Sequence, residues 1–406
     1  MTSNKSKTRI VVAMSGGVDS SVAAYILKKE GYDVLGIFMK NWHDTSVTLS
    51  KECPWLEDSY DAMIVAEKLA IPFQVVDLSI EYKKKIVDYM FDEYKNGKTP
   101  NPDILCNREI KFDLFLKIAM ELGADYIATG HYAQIRKTKT KQKTIFHLLS
   151  GKDKSKDQSY FLCQLNQFQL SKTIFPIGGM EKNNVRKIAK KNEIITADKK
   201  DSQGLCFIGK VKLPDFLQQK LKSKKGDVIL IKNSHEIFSS DEAVNNDNNF
   251  SESYTYNKSD GELVGNHDGA HYFTIGQRKG ISIGGRKNPL YVLSTDVIEN
   301  IVYVGEGSDH PGLFRSGLKV SKKKIHFIND DKGILKNDNL KARIRYRQAL
   351  QKVSVIEEKI FYHFIFQIPQ KSITSGQFIA IYLNDELICS GTVSYTHLTL
   401  PTIFRV

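Results

Sequence analysis

The sequence has few cysteines and lacks long hydrophobic runs, and each shortage excludes a class of protein. Five cysteines in 406 residues are too few for the disulfide framework of a secreted domain. No apolar run reaches the roughly 20 residues that a transmembrane helix needs, and no signal-like apolar segment follows the basic residues "MTSNKSKTR". The sequence therefore predicts a cytoplasmic protein with reduced thiols and no membrane partner.

Acidic residues are scarce relative to basic ones. The chain has 46 Asp and Glu against 59 Lys and Arg, which gives a formal net charge of +13. Such an excess favours a phosphate-bearing partner, of which nucleic acid is the main example. With 41% hydrophobic residues, the chain is long enough to form two or three domains with separate cores.

The pattern of strands and helices changes along the chain. Residues 1–212 alternate strand-like and helix-like segments, which predicts an α/β domain with a doubly wound parallel sheet. Residues 213–314 predict a small, mostly-β central domain, and residues 234–260 within it are interpreted as a polar, solvent-exposed insertion. Residues 315–393 predict a C-terminal β-barrel, and residues 394–406 are interpreted as a non-native tail.

A glycine-rich turn lies between the first predicted strand and helix, in "RIVVAMSGGVDSSVAAYIL". It lacks the Gly-Lys-Ser/Thr ending of the common nucleotide loop, so it is not built to hold a transferring γ-phosphate with a lysine. The N–H groups of Gly16 and Gly17, together with the helix N-terminus, can converge on an anion. The segment "SGGVDSS" resembles the PP-loop of ATP pyrophosphatases, which holds the pyrophosphate of ATP while the α-phosphate is attacked. A bare carboxylate repels phosphate, so Asp19 is not expected to touch the phosphates directly. It is interpreted as binding either Mg²⁺ or backbone N–H groups.

A second stretch, "GKTPNPDILCNREIKFD", contains two prolines in four residues. They predict a fixed loop that delivers Asp103 and Cys106 just before a helix beginning at Arg108. A cysteine at a helix N-terminus beside Arg108 and Lys111 should have a depressed pKa and a larger thiolate fraction. The alternative is that Cys106 is a small buried apolar side chain.

The other cysteines differ in their surroundings. Cys206 follows a polar loop with lysines and a glycine, a setting for a mobile, activated thiol. One hundred positions separate it from Cys106, so the two could meet only through the fold. Cys163 is expected in the core and Cys389 in a barrel strand, whereas Cys53 is a loop thiol. No C-x-x-C motif occurs, so the sequence offers no iron–sulfur signature.

Seven motifs, taken together and in order, resemble the tRNA-specific 2-thiouridylase family of bacteria and organelles. The resemblance covers Arg9 to Val393 and rests on "SGGVDSSVAAYILKKEGYDVLGIFMKNW", "TPNPDILCNREIKF", "ATGHYA", "KDQSYFLCQL", "KKDSQGLCFIG", "YFTIGQRKG" and "RIRYRQ". It implies ATP-dependent 2-thiolation of the wobble uridine, position 34, of the tRNAs for Lys, Glu and Gln. Uracil O2 would be adenylated with Mg²⁺ as a cofactor, and a cysteine persulfide would then supply sulfur. A sulfur-relay protein or a cysteine desulfurase would be the sulfur donor.

The resemblance also implies roles for individual residues. Cys206 would carry the persulfide, Cys106 would complete sulfur release, and Asp103 would act as general acid/base. The residues implied in ATP binding are Ala13, Met14, Ser15, Gly16, Gly17, Val18, Asp19, Ser20, Met39 and Gly130. Those implied in binding the target base are Asn101, Pro102 and Asp103, and those implied in contacting the rest of the tRNA are His131, Lys156, Asp157, Gln158, Arg345, Tyr346 and Gln377.

Alternatives remain open at this point. The loop would equally serve an amide or lysidine ligase that needs ATP but no thiol. A non-catalytic tRNA-binding sulfur carrier would keep the basic surface without an intact ATP loop. Within the thiolation chemistry, the persulfide could attack C2 of uracil directly or be released first as hydrosulfide. For His131, Arg345 and Tyr346, the simpler interpretation is a strand end and an exposed strand face.

Overall fold

The computed structural model describes residues 5–42, 54–141, 143–201, 213–238 and 254–394. Cys53, Cys206, the middle of the 234–260 insertion and nearly all of the tail lie outside these residues. None of the helices in the described ranges has the length and apolar character that a membrane crossing requires.

The described chain forms strands and helices in the following order. The strands are β1 (Arg9–Ala13), β2 (Asp33–Lys40), β3 (Phe73–Asp77), β4 (Tyr126–Ala128), β5 (Ala133–Lys139), β6 (Thr144–Ser150), β7 (Thr173–Ile174), β8 (Gly226–Leu230), β9 (Glu262–His267), β10 (Leu290–Asp296), β11 (Ile301–Glu306), β12 (Phe314–Ser321), β13 (Ile325–Phe327), β14 (Leu340–Arg343), β15 (Gln351–Glu357), β16 (Phe361–Lys371), β17 (Phe378–Leu383) and β18 (Glu386–Thr392). The α-helices are α1 (Val18–Lys29), α2 (Pro54–Lys68), α3 (Ser79–Tyr82), α4 (Asp88–Lys95), α5 (Pro102–Leu105), α6 (Phe115–Glu121), α7 (Gln167–Ser171), α8 (Lys182–Lys191) and α9 (Leu213–Gln218). Two wider π-helical stretches span Lys83–Val87 and Cys106–Leu114.

The first part of the chain forms a parallel sheet in the order β3-β2-β1-β4-β7. Its central strand β1 is buried on both faces, because alternate side chains of a strand point to opposite sides. Val11 packs into the hydrophobic cluster on one side of the sheet, and Ile10 and Val12 pack into the cluster on the other. The predicted doubly wound parallel sheet is therefore confirmed.

The central part contains the four-stranded sheet β10-β11-β8-β9. Residues 234–260 were expected to be a solvent-exposed insertion; of the described residues in it, Ser234, Glu236, Thr255 and residues 257–259 are exposed, but aromatic side chains at both ends pack against the core. Tyr256 is buried, with its ring centroid 5.4 Å from that of Tyr303 in β11, and Phe238 and Tyr254 pack against the same cluster. The asparagine-rich composition concealed these aromatic side chains, which are apolar enough to join a core.

The C-terminal part forms a sheet in the order β12-β16-β15-β14-β17-β18-β6-β5, with β13 also paired to β18. Strands β5 and β6 come from the first part of the chain and join the barrel where Leu148 and Leu149 pair with Leu387 and Glu386. Glu386 also binds Arg136 of β5 at 2.7 Å. The first and last parts of the chain consequently share one sheet.

Two of the cysteine predictions are confirmed. Cys389 lies in strand β18, and Cys163 is fully buried in the core. Burial raises the pKa of the Cys163 thiol to about 12. A thiol with so high a pKa is almost wholly protonated near neutral pH and is a poor nucleophile.

Candidate active site

The glycine-rich loop lies at the carboxyl end of β1 and leads directly into α1. Gly16 has a positive φ of 69°, and Gly17 is the N-cap of α1 with an extended backbone. The hydroxyls of Ser20 and Ser21 donate to the Gly17 carbonyl at 3.1 and 2.8 Å, and the Ser15 N–H donates to the Ser20 hydroxyl at 3.1 Å. These internal bonds fix the loop in a shape that presents backbone N–H groups and a helix N-terminus, the groups that bind phosphate.

Replacing Gly16 by alanine is expected to destabilise the protein, because a Cβ at this position would overlap the backbone of Asp58 in α2. Gly31 offers a matched control: its φ is also positive, at 88°, but a Cβ there would meet nothing within 4 Å. Gly31→Ala should cost about 1–2 kcal/mol from backbone strain alone. Gly16→Ala should cost about 1–3 kcal/mol more from overpacking. Urea unfolding of both variants measures the difference, and equal losses would contradict the close approach.

Asp19 lies in the first turn of α1, facing the loop. Its carboxylate accepts a hydrogen bond from the Tyr132 hydroxyl at 2.7 Å and binds the ammonium of Lys182 at 2.9 and 2.7 Å. Of the two alternatives given for Asp19, no hydrogen bond from a backbone amide to its carboxylate is found among the described residues, and binding of Mg²⁺ stays a prediction. The ammonium of Lys182 offsets its charge beside the loop, and the Tyr132 hydroxyl adds a neutral hydrogen bond.

Lys182 is a site residue that the sequence analysis missed. It is the first residue of α8, is nearly buried, and lies 2.7 Å from Asp201 as well as binding Asp19. Burial alone would raise the pKa of Asp201, but hydrogen bonds from Lys156 and Lys182 lower it to about 2. A lysine in the first turn of a helix is disfavoured by the helix dipole. That position was the available signal that Lys182 has acidic partners.

The Asp103 segment begins a helix earlier than predicted. Asn101 caps α5 by accepting from the Ile104 N–H at 3.2 Å, and Pro102 is the first helical residue, where proline is favoured. The helix therefore starts at Pro102 and not at Arg108. Cys106 lies inside the helical stretch and is fully buried in the hydrophobic core. The predicted position in a polar loop before the helix is wrong, and the burial of this thiol agrees with the alternative of a small buried apolar side chain.

The loop and the Asp103 segment open onto one cleft of about 480 Å³. Thirteen of the residues singled out in the sequence line it: Ala13, Ser15, Gly17, Val18, Asp19, Ser20, Met39, Asp103, Gly130, His131, Lys156, Gln158 and Tyr346. Position 130 requires glycine because its backbone packs closely against the start of α1: a Cβ there would lie 2.6 Å from the backbone nitrogen of Ser20. Lining residues that the sequence analysis missed include Asn107, Tyr132, Phe161, Lys182, Lys199 and Asp201. An anion loop, lysines and a carboxylate from a separate segment thus share one cavity.

Comparison with known families assigns most of the chain. The tRNA methyl transferase HUP domain matches residues 8–210. The tRNA methyl transferase PRC-barrel domain matches residues 242–306, and the aminomethyltransferase beta-barrel domain matches residues 317–393. The fold class predicted from the sequence agrees with these three matches.

Whole-length relatives are also found. The chain is 56% identical to the tRNA-specific 2-thiouridylase MnmA of Christiangramia forsetii over 95% of this chain and 100% of the relative. The chain belongs to the tRNA-specific 2-thiouridylase family. The MnmA of Flavobacterium johnsoniae is 55% identical over the same shares, and that of Enterococcus faecalis is 43% identical over 96% of each chain. The family predicted from the sequence motifs is confirmed.

His131 was given a tRNA contact by its resemblance to the 2-thiouridylase family. The imidazole is buried between Phe112 and Phe175, with ring centroids 5.8 and 6.0 Å away, and its Nδ1 lies 2.7 Å from the Thr129 hydroxyl. Burial, reinforced by the charge of Lys111, lowers the pKa of His131 well below its usual range. His131 is therefore neutral at physiological pH and contributes no cation to the cleft wall.

Asp157 was also given a tRNA contact by its resemblance to the 2-thiouridylase family, but its side chain is engaged inside the protein. The carboxylate is buried and lies 2.6 Å from the guanidinium of Arg343 in β14. It also accepts hydrogen bonds from the N–H groups of Gly151 at 2.9 Å and Ser159 at 3.1 Å. This buried pair joins the first part of the chain to the barrel, and the contact of Asp157 with tRNA stays a prediction.

Gln377 and the residues before Asp103 contact one another. The Gln377 side-chain amide donates to the carbonyls of Thr99 at 2.9 Å and Pro100 at 3.1 Å, and Asn101 donates to its oxygen at 3.3 Å. The barrel therefore holds the loop that leads to Asp103. Pro102 is buried in this structure, and its contact with the target base stays a prediction.

Arg345 and Tyr346 follow strand β14 in a turn, not on an exposed strand face. Arg345 is exposed and donates to the carbonyls of Lys371 and Ser372. The ring of Tyr346 lies 4.5 Å from that of Phe161 at the edge of the cleft. Their contacts with tRNA stay predictions, as does the role of Met14, which is buried beneath the loop.

Proposed function

We propose that this chain is an ATP-dependent tRNA sulfurtransferase that replaces O2 of the wobble uridine by sulfur. The observation that carries the proposal is the shared cleft, in which the loop after β1 and the Asp103 segment face one cavity. This cleft occurs in a chain that is 56% identical to a protein named tRNA-specific 2-thiouridylase. The proposed substrates are the tRNAs for Lys, Glu and Gln.

The first proposed step is adenylation. Uracil O2 attacks the α-phosphate of ATP, pyrophosphate leaves, and the N3 proton passes to a base, for which Asp103 is the candidate. The loop N–H groups, the N-terminus of α1 and Lys182 stabilise the negative charge of the departing pyrophosphate. The oxygens of Asp19 and the loop hydroxyls are ligands that suit Mg²⁺, which would neutralise phosphate charge when bound.

The second proposed step is sulfur transfer. The persulfide on Cys206 attacks C2 of uracil, and AMP departs with the former O2. The Cys106 thiolate then attacks the Cys206 sulfur, which releases 2-thiouridine and leaves a Cys106–Cys206 disulfide for an external reductant. In the alternative order, Cys106 first releases hydrosulfide, which attacks C2, and the same disulfide remains. A relay protein or a cysteine desulfurase restores the persulfide.

The burial of Cys106 bears on this proposal. Its thiol is fully buried at the start of a π-helical stretch, so sulfur transfer requires this stretch to rearrange when tRNA binds. The same burial favours one alternative, a PP-loop ligase that adenylates tRNA and needs no thiol. The two functions differ in product, because only the first puts sulfur into the nucleoside.

Nucleoside mass spectrometry distinguishes them. Unmodified tRNA-Glu is incubated with the protein, Mg-ATP and a cysteine desulfurase system, and the mass of the wobble nucleoside is measured. The expected result is a sulfur-for-oxygen mass gain accompanied by AMP and pyrophosphate. AMP without the mass gain would favour the ligase, and absence of both would reject the adenylating loop.

Replacing Lys182 by methionine is expected to weaken ATP binding by about 10- to 100-fold, the size of a lost charge-assisted hydrogen bond. The change leaves the Asp19 carboxylate without its cation beside the phosphates. Lys190→Met is the control, because Lys190 lies on the same helix but forms an exposed pair with Asp198 at 2.7 Å. Isothermal titration calorimetry with Mg-ATP compares the variants. Equal affinities would show that Lys182 has no part in phosphate binding.

A further inference from the structure

One side chain of the cleft has an unfilled hydrogen-bonding position. Asn107 lines the cavity beside Asp103, yet it is 97% buried, with an exposed fraction of 3%. Its Nδ2 donates to the carbonyl of Phe161 at 3.1 Å. Its Oδ1 is buried and has no hydrogen-bond partner among the residues that the structure describes.

The orientation of this amide is fixed. Turning it over would bring Oδ1 against the carbonyl oxygen of Phe161, and two acceptors repel one another. Nδ2 must therefore face Phe161, and Oδ1 must remain an acceptor on the other side. Buried acceptors rarely stay unpaired in proteins, because burial removes their hydrogen bond to water and an unpaired acceptor then costs free energy. A donor from a bound molecule would complete this position.

We propose that, when the target uridine first binds, Asn107 Oδ1 accepts a hydrogen bond from its N3–H, before adenylation passes that proton to Asp103, and thereby selects uracil over cytosine. This inference rests on the proposed function. Uracil carries a donor at N3, whereas cytosine has an acceptor there, so a fixed amide oxygen pairs with the first and repels the second. Asn107 follows Cys106 directly in the chain and lines the same cleft as Asp103. A base that reacts at C2 with these groups must bring its adjacent N3 edge to the same wall.

The test compares two tRNAs and three proteins. One tRNA-Glu carries uridine at the wobble position, and the other carries 3-deazauridine, which has the same outline but a C–H in place of N3–H. The proteins are the wild type, Asn107→Ala and Asn192→Ala. Asn192 is the matched control, since its amide also donates to a backbone carbonyl, that of Ile188 at 2.8 Å, and it does not line the cleft. Equilibrium binding of each tRNA is measured in the presence of a non-hydrolysable ATP analogue.

The wild type and Asn192→Ala should bind the uridine tRNA about tenfold more tightly than the 3-deazauridine tRNA, equivalent to about 1.4 kcal/mol. Asn107→Ala should bind both equally and weakly. Equal binding of the two tRNAs by the wild type would overturn the inference whether or not the variant folds. The inference would also be overturned if Asn107→Ala kept the preference for the uridine tRNA, or if this variant weakened ATP binding without changing tRNA binding. Failure of the wild type to thiolate the uridine tRNA would instead reject the proposed function.

Discussion

Replacing Cys106 by serine is expected to lower the formation of thiolated tRNA by several orders of magnitude, the usual effect of removing an essential nucleophile. A serine hydroxyl cannot attack a persulfide sulfur to form a disulfide, so the second proposed step stops. ATP binding should be unchanged, because Cys106 does not line the cleft and serine has nearly the same size. Nucleoside mass spectrometry measures the product, and calorimetry with Mg-ATP measures the binding.

Cys163→Ser provides the control for this experiment. Cys163 is buried as completely as Cys106, but burial raises its pKa to about 12, so no sulfur chemistry is expected there. Cys163→Ser should retain thiolation, with any loss of stability seen as a lower unfolding temperature. Thiolation by Cys106→Ser at the wild-type rate would contradict the role of Cys106. Product formed by the wild type would still support the proposed function.

The parts of the fold that were predictable have local signals. Strand β1, the glycine-rich loop and helix α1 follow one another within 21 residues, from Arg9 to Lys29, so patterning and turn residues identify them together. The β5–β6 hairpin was not assigned to the barrel, because its partner strand β18 begins 236 residues after β6 ends, at Glu386 after Ser150. A strand has the same alternating pattern whichever sheet it joins. Sequence alone therefore cannot choose between the two sheets.

The site shows the same division. The loop and Asp103, which both line the cleft, could be singled out from the sequence because each lies in a stretch with its own turn chemistry. The start of α5 was missed although the signal was present, because an asparagine before a proline both caps and starts a helix. The buried ion pair of Asp157 with Arg343 could not be predicted, because Arg343 lies 186 positions away and a polar "KDQ" segment is normally exposed.

Replacing Arg343 by methionine is expected to lower the free energy of unfolding by about 3–5 kcal/mol, the cost of leaving a buried charge unpaired. Arg343 is 2.6 Å from Asp157, and it also donates to the hydroxyls of Tyr382 at 2.6 Å and Ser159 at 2.9 Å. Methionine fills much of the same volume but leaves the Asp157 carboxylate without a cation. Adding Asp157→Asn should recover part of the loss, because it removes the unpaired charge. Urea unfolding of the single and double variants measures both effects.

The exposed ion pair between Lys154 and Asp385 is the control for the buried pair between Arg343 and Asp157. It also links the first part of the chain to the barrel, at 2.7 Å, but both side chains are largely exposed. Lys154→Met should therefore cost at most about 1 kcal/mol. Asp157 lies between Lys156 and Gln158, which both line the cleft, so Arg343→Met should weaken ligand binding as well as stability. A loss no greater than that of Lys154→Met would mean that the barrel does not hold this wall of the cleft through the buried pair.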